Sequence, residues 1–207
     1  MKKIYLASAI AFLGALALSP LRADSYAVDP VHSFVLFEVK HFGLGHVYGR
    51  FDKISGSFTY DAADPAKIGL DLSVDTATVD TNNPDRDRHL KSPDFFNVQQ
   101  FPLATFKTTG VKPRMVSATD AALSPVDAFK VAGGYELTGD FTLNGVTKAI
   151  TLPVIVIGTG KGPKGEARIG GEAKFMIKRS DYGIKWGPDA LGDEVELTIA
   201  IEGVLQP

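Results

Sequence analysis

The 207-residue chain has no cysteine. That absence excludes a disulfide, a thiolate metal site, a thiol nucleophile and a lipid-modified cysteine anchor. Stability must therefore come from the core alone. No apolar run is long enough to cross a membrane as a helix either: Ile4 to Leu18 offers about 15 residues where a span needs roughly 20. Lys2 and Lys3 precede that run, and Pro20 and Leu21-Arg22-Ala23 follow it. This is the order of a secretory signal cleaved before Asp24. Residues 1–23 are expected to be that signal peptide and residues 24–207 one domain, since about 184 residues is an ordinary length for an undivided β-barrel. Positive charge is also scarce. Without Lys2, Lys3 and Arg22 the 22 basic residues fall to 19 against 24 acidic ones, a net charge of −5. Phosphate neutralisation needs a basic face, so no nucleic-acid partner is expected. Nor is a lasting electrostatic hold on an anionic membrane, or stable membrane insertion after signal cleavage.

What the chain has in quantity is period-two alternation. Ile68, Leu70, Leu72 and Val74 alternate with Gly69, Asp71, Ser73 and Asp75. Val195, Leu197, Ile199 and Ile201 alternate with Glu194, Glu196, Thr198 and Glu202, and Ala173, Phe175 and Ile177 with Lys174 and Lys178. Each such run is a strand with one dry and one wet face. From Ser33 to His41, Val35, Phe37 and Val39 share a face, while Phe34 and Leu36 make the other side apolar too, so something is expected to cover it. Shorter runs at Val47 to Phe51, Ser55 to Tyr60 and Leu103 to Val111 bring the total to about eight, with no βαβ rhythm. The pattern predicts an all-β barrel or sandwich.

Between Tyr135 and Val156 the pair Asn144-Gly145 predicts a hairpin, because a type I′ turn needs positive φ twice. The two-residue loop sets the register: Leu143 opposite Val146, Phe141 opposite Lys148, Gly139 opposite Ile150, Leu137 opposite Leu152 and Tyr135 opposite Val154. Lys148 suggests that this face turns polar toward the loop. One helix interrupts the strands, from about Asn83 to Lys91, with Asn83 as cap, Pro84 first, Asp85 and Asp87 near the positive end and Pro93 as the stop. A further single turn can start at Ser92 and carry Phe95 and Phe96. The segment 112–134 has no clear pattern.

Several motifs in this order resemble one family. Asp29-Pro30-Val31-His32-Ser33 followed by Phe37, Val39 and His41 resembles the opening of the YceI-like polyisoprenoid-binding proteins. Arg86-Asp87-Arg88-His89-Leu90, then Ser92, Phe95, Phe96 and Phe101-Pro102, resemble its next stretch, although Tyr is frequent there in place of Phe101. Gly139 to Lys148 is similar to its hairpin, with Phe141 where an aliphatic residue is usual, and Arg179-Ser180-Asp181-Tyr182-Gly183-Ile184 resembles its late motif. The resemblance covers essentially residues 24–207 and departs mainly in the longer segment 112–134. It implies an eight-stranded antiparallel lipocalin-like β-barrel with a short helical insertion, holding a polyisoprenoid or other long-chain lipid as carrier, store or sequestering protein, usually in the periplasm. It implies no cofactor and no enzymatic activity, and a homodimer is compatible with it.

Alternation alone does not separate a hollow barrel from one filled by its own side chains. For a hollow one, the apolar lining is expected from Val35, Phe37, Val39, Phe58, Leu70, Leu72, Val74, Phe106, Leu137, Ile150, Leu152, Val154, Phe175, Ile177, Leu197 and Ile199. A mouth for a head group is expected from His41, Arg86, Asp87, His89, Phe95, Phe96, Arg179, Tyr182 and Trp186. Arg86 and His89, three apart on a helix, share a face. Equally, Arg86 or Asp87 can fasten the helix to the rim, with Arg179 as a partner. No metal is expected: His32 and His41 lie about 30 Å apart along one strand, and His41, His46 and His89 make only a weak set. His32 is expected to bond Asp29 or Ser33. A hydrolase would have to use Asp87 and His89 as its acid/base pair, because there is no Gly-x-Ser-x-Gly elbow. A fatty acid or amide, or a filled stress-related interaction module, are the alternatives to a prenyl chain.

Overall fold

The computed structural model describes residues 23–114 and 133–207. The expected signal peptide up to residue 22 and the segment 115–132 lie outside the described residues.

Eleven strand segments form one sheet that closes on itself through a pairing of β1 with β11. Three pairs of segments are bent single strands. β1 (Asp24–Val28) and β2 (Phe34–His41) both pair along β11 (Leu191–Leu205), with Tyr26 opposite Leu205 and Phe37 opposite Leu197. In the same way β3 (Gly45–Phe51) runs into β4 (Ile54–Tyr60), and β5 (Gly69–Asp75) into β6 (Val79–Asp80). With β7 (Leu103–Arg114), β8 (Gly133–Leu143), β9 (Val146–Lys161) and β10 (Ala167–Lys178) the ring has eight antiparallel strands, each next to its chain neighbour. The eight-stranded antiparallel barrel expected from the sequence is therefore the fold. No helix among the described residues is long and apolar enough to cross a membrane.

The hairpin register follows the turn. Asn144 and Gly145 have φ of 50° and 75°, and the pairs run from Leu143 with Val146 through Phe141 with Lys148 to Tyr135 with Val154. The inner face does not turn polar at the loop, however. Phe141 and Leu143 are both buried. Lys148 escapes by reaching Asp181 at 2.9 Å, at the barrel rim.

α1 (Pro84–Leu90) starts where its cap predicts, the Asn83 side chain accepting from Arg86 N–H, and Lys91 ends it. Ser92 then accepts the N–H of Asp94 and Phe95 in a short turn. The patternless region is narrower than the sequence suggests, since strand accounts for 112–114 and 133–134. No described residue covers the outer side of β2, where Phe34 stays 48% and Leu36 43% exposed.

Several strand glycines make room for rings, Gly49 and Gly139 among them. Gly49 faces Phe37 across the β2–β3 pair, and any Cβ there would strike that ring. A Cβ on Gly139 would fall 2.5 Å from both the Phe106 ring and the Lys107 carbonyl oxygen. These phenylalanines lie over glycine backbone, which lets the sheet curve inward.

Candidate functional site

Among the described residues, the inward parity of the strands leaves room for cavities, of which two lie end to end along the barrel. The larger, about 520 Å³, lies on the side of α1; the smaller, about 80 Å³, lies beyond it. Both are lined almost wholly by carbon. They share Leu72, Phe106, Phe141 and Ile199. Leu72, Phe106 and Phe141 stand in one cross-strand row, so these side chains form a waist. Of the two readings left open by alternation, the hollow one holds on the α1 side. There β11 lines the wall from Leu191 to Ile199, which at the usual strand rise and barrel tilt is a depth of about 20 Å.

Most residues proposed from sequence for the lining fall on one or other side of this waist. Val35, Phe37, Val39, Val74, Ile177 and Leu197 line the larger cavity. Phe58, Leu70, Leu137, Leu152, Val154 and Phe175 line the smaller. Ile150 lines neither and is partly buried against the core. Phe141, Phe51, Ile184 and Leu191 belong to the wall of the larger cavity but were not foreseen. Phe51 could have been found from the hairpin parity, opposite Val35; Ile184 and Leu191 sit in and just after a loop and carry no periodic signal.

The mouth is built from α1 and the loop between β10 and β11. His41, Arg86, His89, Phe95, Phe96, Arg179 and Trp186 line it. Rings close over it from both loops, with centroids 4.6 Å apart for His89 and Trp186, 5.0 Å for His89 and Phe95, and 5.5 Å for Phe95 and Trp186. Phe96 packs on Phe51 at 5.4 Å. His89 Nε2 lies 3.0 Å from the Asp94 carboxylate.

Arg86 and Asp87 fasten the helix, as one of the two readings had it, but to Thr81 rather than to Arg179. Arg86 donates to Thr81 Oγ1 and to its carbonyl, each at 2.7 Å. Asp87 Oδ1 accepts from the Thr81 N–H at 2.9 Å and from its hydroxyl at 2.6 Å. Asp87 does not line the cavity and is committed to Thr81, while His89 is set against Asp94. An acid/base pair of Asp87 and His89 finds no support in this arrangement.

Arg179 is buried, and its guanidinium meets four carbonyl oxygens: Gly192 from Nε at 2.8 Å, Ile184 and Trp186 from Nη1 at 3.1 and 2.8 Å, and Leu191 from Nη2 at 3.1 Å. It shapes the lid loop while presenting one face to the cavity. Tyr182 lies outside the cavity, buried against Phe141 at 5.3 Å. Burial, and then the Asp181 charge, push its hydroxyl pKa up.

His41 and His89 share the mouth, but among the described residues no three histidines come together. His46 pairs outward with Glu38 at 3.3 Å while His41 faces the cavity. Asp29, His32 and Glu202 bring their ligand atoms together, but Arg168 donates to both carboxylates and supplies the cation there. His32 Nδ1 bonds Asp29 at 2.9 Å, as expected. Hydrogen bonds from His32, then Arg168 and the Val31 N–H, hold the Asp29 carboxyl well below the usual carboxylate range.

The family model of the YceI-like domain matches residues 26–203. The chain belongs to the YceI-like family. It is similar to Protein YceI of Escherichia coli O157:H7, with 39% identity over 208 residues covering 100% of each chain. A YCEI protein of Campylobacter jejuni, solved as a crystal structure, matches with a TM-score of 0.62 and 28% identity, over 81% of this chain and 90% of that one. A polyisoprenoid binding domain from Saccharophagus degradans, implicated in plant cell wall breakdown, shares the fold with a TM-score of 0.62 at 18% identity, over 87% and 98% of the chains. The YceI-like barrel thus has close relatives along its whole length. In this chain its interior is open on the side where α1 sits.

Proposed function

We propose that this YceI-like protein binds a long apolar lipid, a polyisoprenoid or prenyl-tailed molecule, and acts as its carrier, store or sequestering protein without turning it over. The observation that carries the reading is the open axial cavity, about 520 Å³ and lined by carbon except near its mouth. Each buried CH₂ contributes roughly 0.8 kcal/mol, so a few isoprene units of five carbons each give tight binding even after the chain's lost freedom offsets part of the gain. The head group sits at Arg86, His89 and Arg179 and the tail points at the waist. The binding of polyisoprenoid ascribed to the Saccharophagus degradans domain supports the ligand class.

The protein is proposed to work after export, in the periplasm, with residues 1–23 removed. β1 begins at Asp24, directly after the proposed cleavage point. Organic extraction and native mass spectrometry of the purified protein test the ligand: a copurifying prenyl chain is expected. A protein that is empty and takes up no added prenyl lipid overturns the reading, and a fatty acid or amide in its place reassigns the ligand. The intact mass of the protein released from the periplasm tests the processing.

A further inference from the structure

The cavity mouth has an apolar rim that points away from the barrel. The tip of the β2–β3 hairpin carries Leu44, 92% exposed, and Phe42, 59% exposed. Trp186, 44% exposed, lies on the neighbouring lid loop, and the Phe42 N–H donates to the Ala190 carbonyl at 2.7 Å, binding the two loops together. The Phe42 ring sits edge-on to His41 at 4.4 Å, and His41 lines the cavity. The rim is therefore continuous with the lipid cavity.

The backbone holds Phe42 out at a cost. Its φ is 50°, the left-handed region that a bulky side chain rarely takes. A hairpin tip of polar residues would turn there with less strain and leave no leucine in water.

We infer that this rim, Phe42, Leu44 and Trp186, is a docking surface for a zwitterionic lipid bilayer, through which the mouth meets the membrane that supplies or receives its ligand. Charge at the rim is mixed, with exposed Lys40 and Lys185 beside it and Asp189 on the same loop. Such a rim sits among lipid head groups of both signs and needs no anionic surface, which suits a chain that is acidic overall. The occupant follows from the proposed ligand, since a long prenyl chain is stored in bilayers and crosses water poorly.

The test is flotation of the purified protein with phosphatidylcholine vesicles at physiological salt. The wild type is expected to rise with the vesicles, and the Phe42→Asp, Leu44→Asp double variant to partition at least about ten-fold less, a factor equal to about 1.4 kcal/mol and smaller than burial of one leucine side chain. Circular dichroism checks that the variant is folded, and native mass spectrometry that it still binds prenyl lipid offered in micelles. Failure of the wild type to float, or equal flotation of the variant, overturns the proposal. So does a dimer of the wild type that the double variant dissolves, because the tip would then be a self-interface. Flotation without uptake of prenyl lipid keeps the docking and removes the lipid-binding reading; uptake without flotation does the opposite.

Discussion

Replacing Arg179 by lysine keeps the charge and discards the fork. The guanidinium now serves the carbonyls of Ile184, Trp186, Leu191 and Gly192 from three nitrogens held in one plane. A lysine ammonium is a point donor that cannot span the four. Two or three carbonyls lose their partner, and a half-buried acceptor left unsatisfied costs on the order of 1 kcal/mol, toward the low end because water reaches this loop. Arg179→Lys is therefore expected to lose about 3 kcal/mol, and Arg179→Ala somewhat more. For a domain of this size each kcal/mol moves the midpoint by roughly 2–4 °C, so the lysine variant is expected to melt about 6–12 °C lower. The assay is thermal melting of lipid-free protein followed by far-UV circular dichroism. A lysine variant melting within about 2 °C of wild type, less than 1 kcal/mol is worth, would show that the charge alone holds the loop and refute the argument from geometry.

Three further outcomes are expected. Phe141→Leu removes the ring that narrows the waist and packs on Tyr182; it should cost about 1–2 kcal/mol and shift preference toward longer prenyl chains, read by native mass spectrometry on a mixture of chain lengths. Gly139→Ala sets a methyl against the Phe106 ring and the Lys107 backbone and should destabilise by about 1–3 kcal/mol in a denaturant titration. The folded Asp29 pKa is depressed, so its contribution to stability is present above the ordinary carboxylate value and is lost as pH falls below it toward the folded value. Melting temperature should drop on acidification from about pH 5 to pH 2, and less steeply in Asp29→Asn, the ordinary aspartate value being near 3.9; equal slopes would mean that other carboxylates carry the acid response.

Much of the barrel was legible because local rules agree there. The Asn144-Gly145 turn fixes a register of eleven pairs, and Asn83 with Pro84 fixes the start of α1. Whether the interior is open was not legible, since Leu72 or Leu197 alternates identically in a filled barrel. The role of Arg179 was hidden for another reason: its partners are backbone carbonyls, which residue types do not index. Arg86 and Asp87 were readable as helix fasteners, but not their shared anchor, Thr81. Phe34 and Leu36 asked for a cover that no described residue supplies, and Lys148 looked like a polar intrusion because its reach to Asp181 is set by the neighbouring β10–β11 connection.

The ring is sealed where the earliest strand of the fold meets the latest. β11 bonds to β10, to β2 and, over its final residues, to β1. Seven strands can zip up in succession as neighbours, yet the cylinder stays an open sheet with two raw edges until β11 arrives. Closure is thus the step with the longest loop to tie, and a slow one by the logic of distant contacts. Until it is done there is no enclosed space for a greasy guest, so loading must follow the pairing of β11.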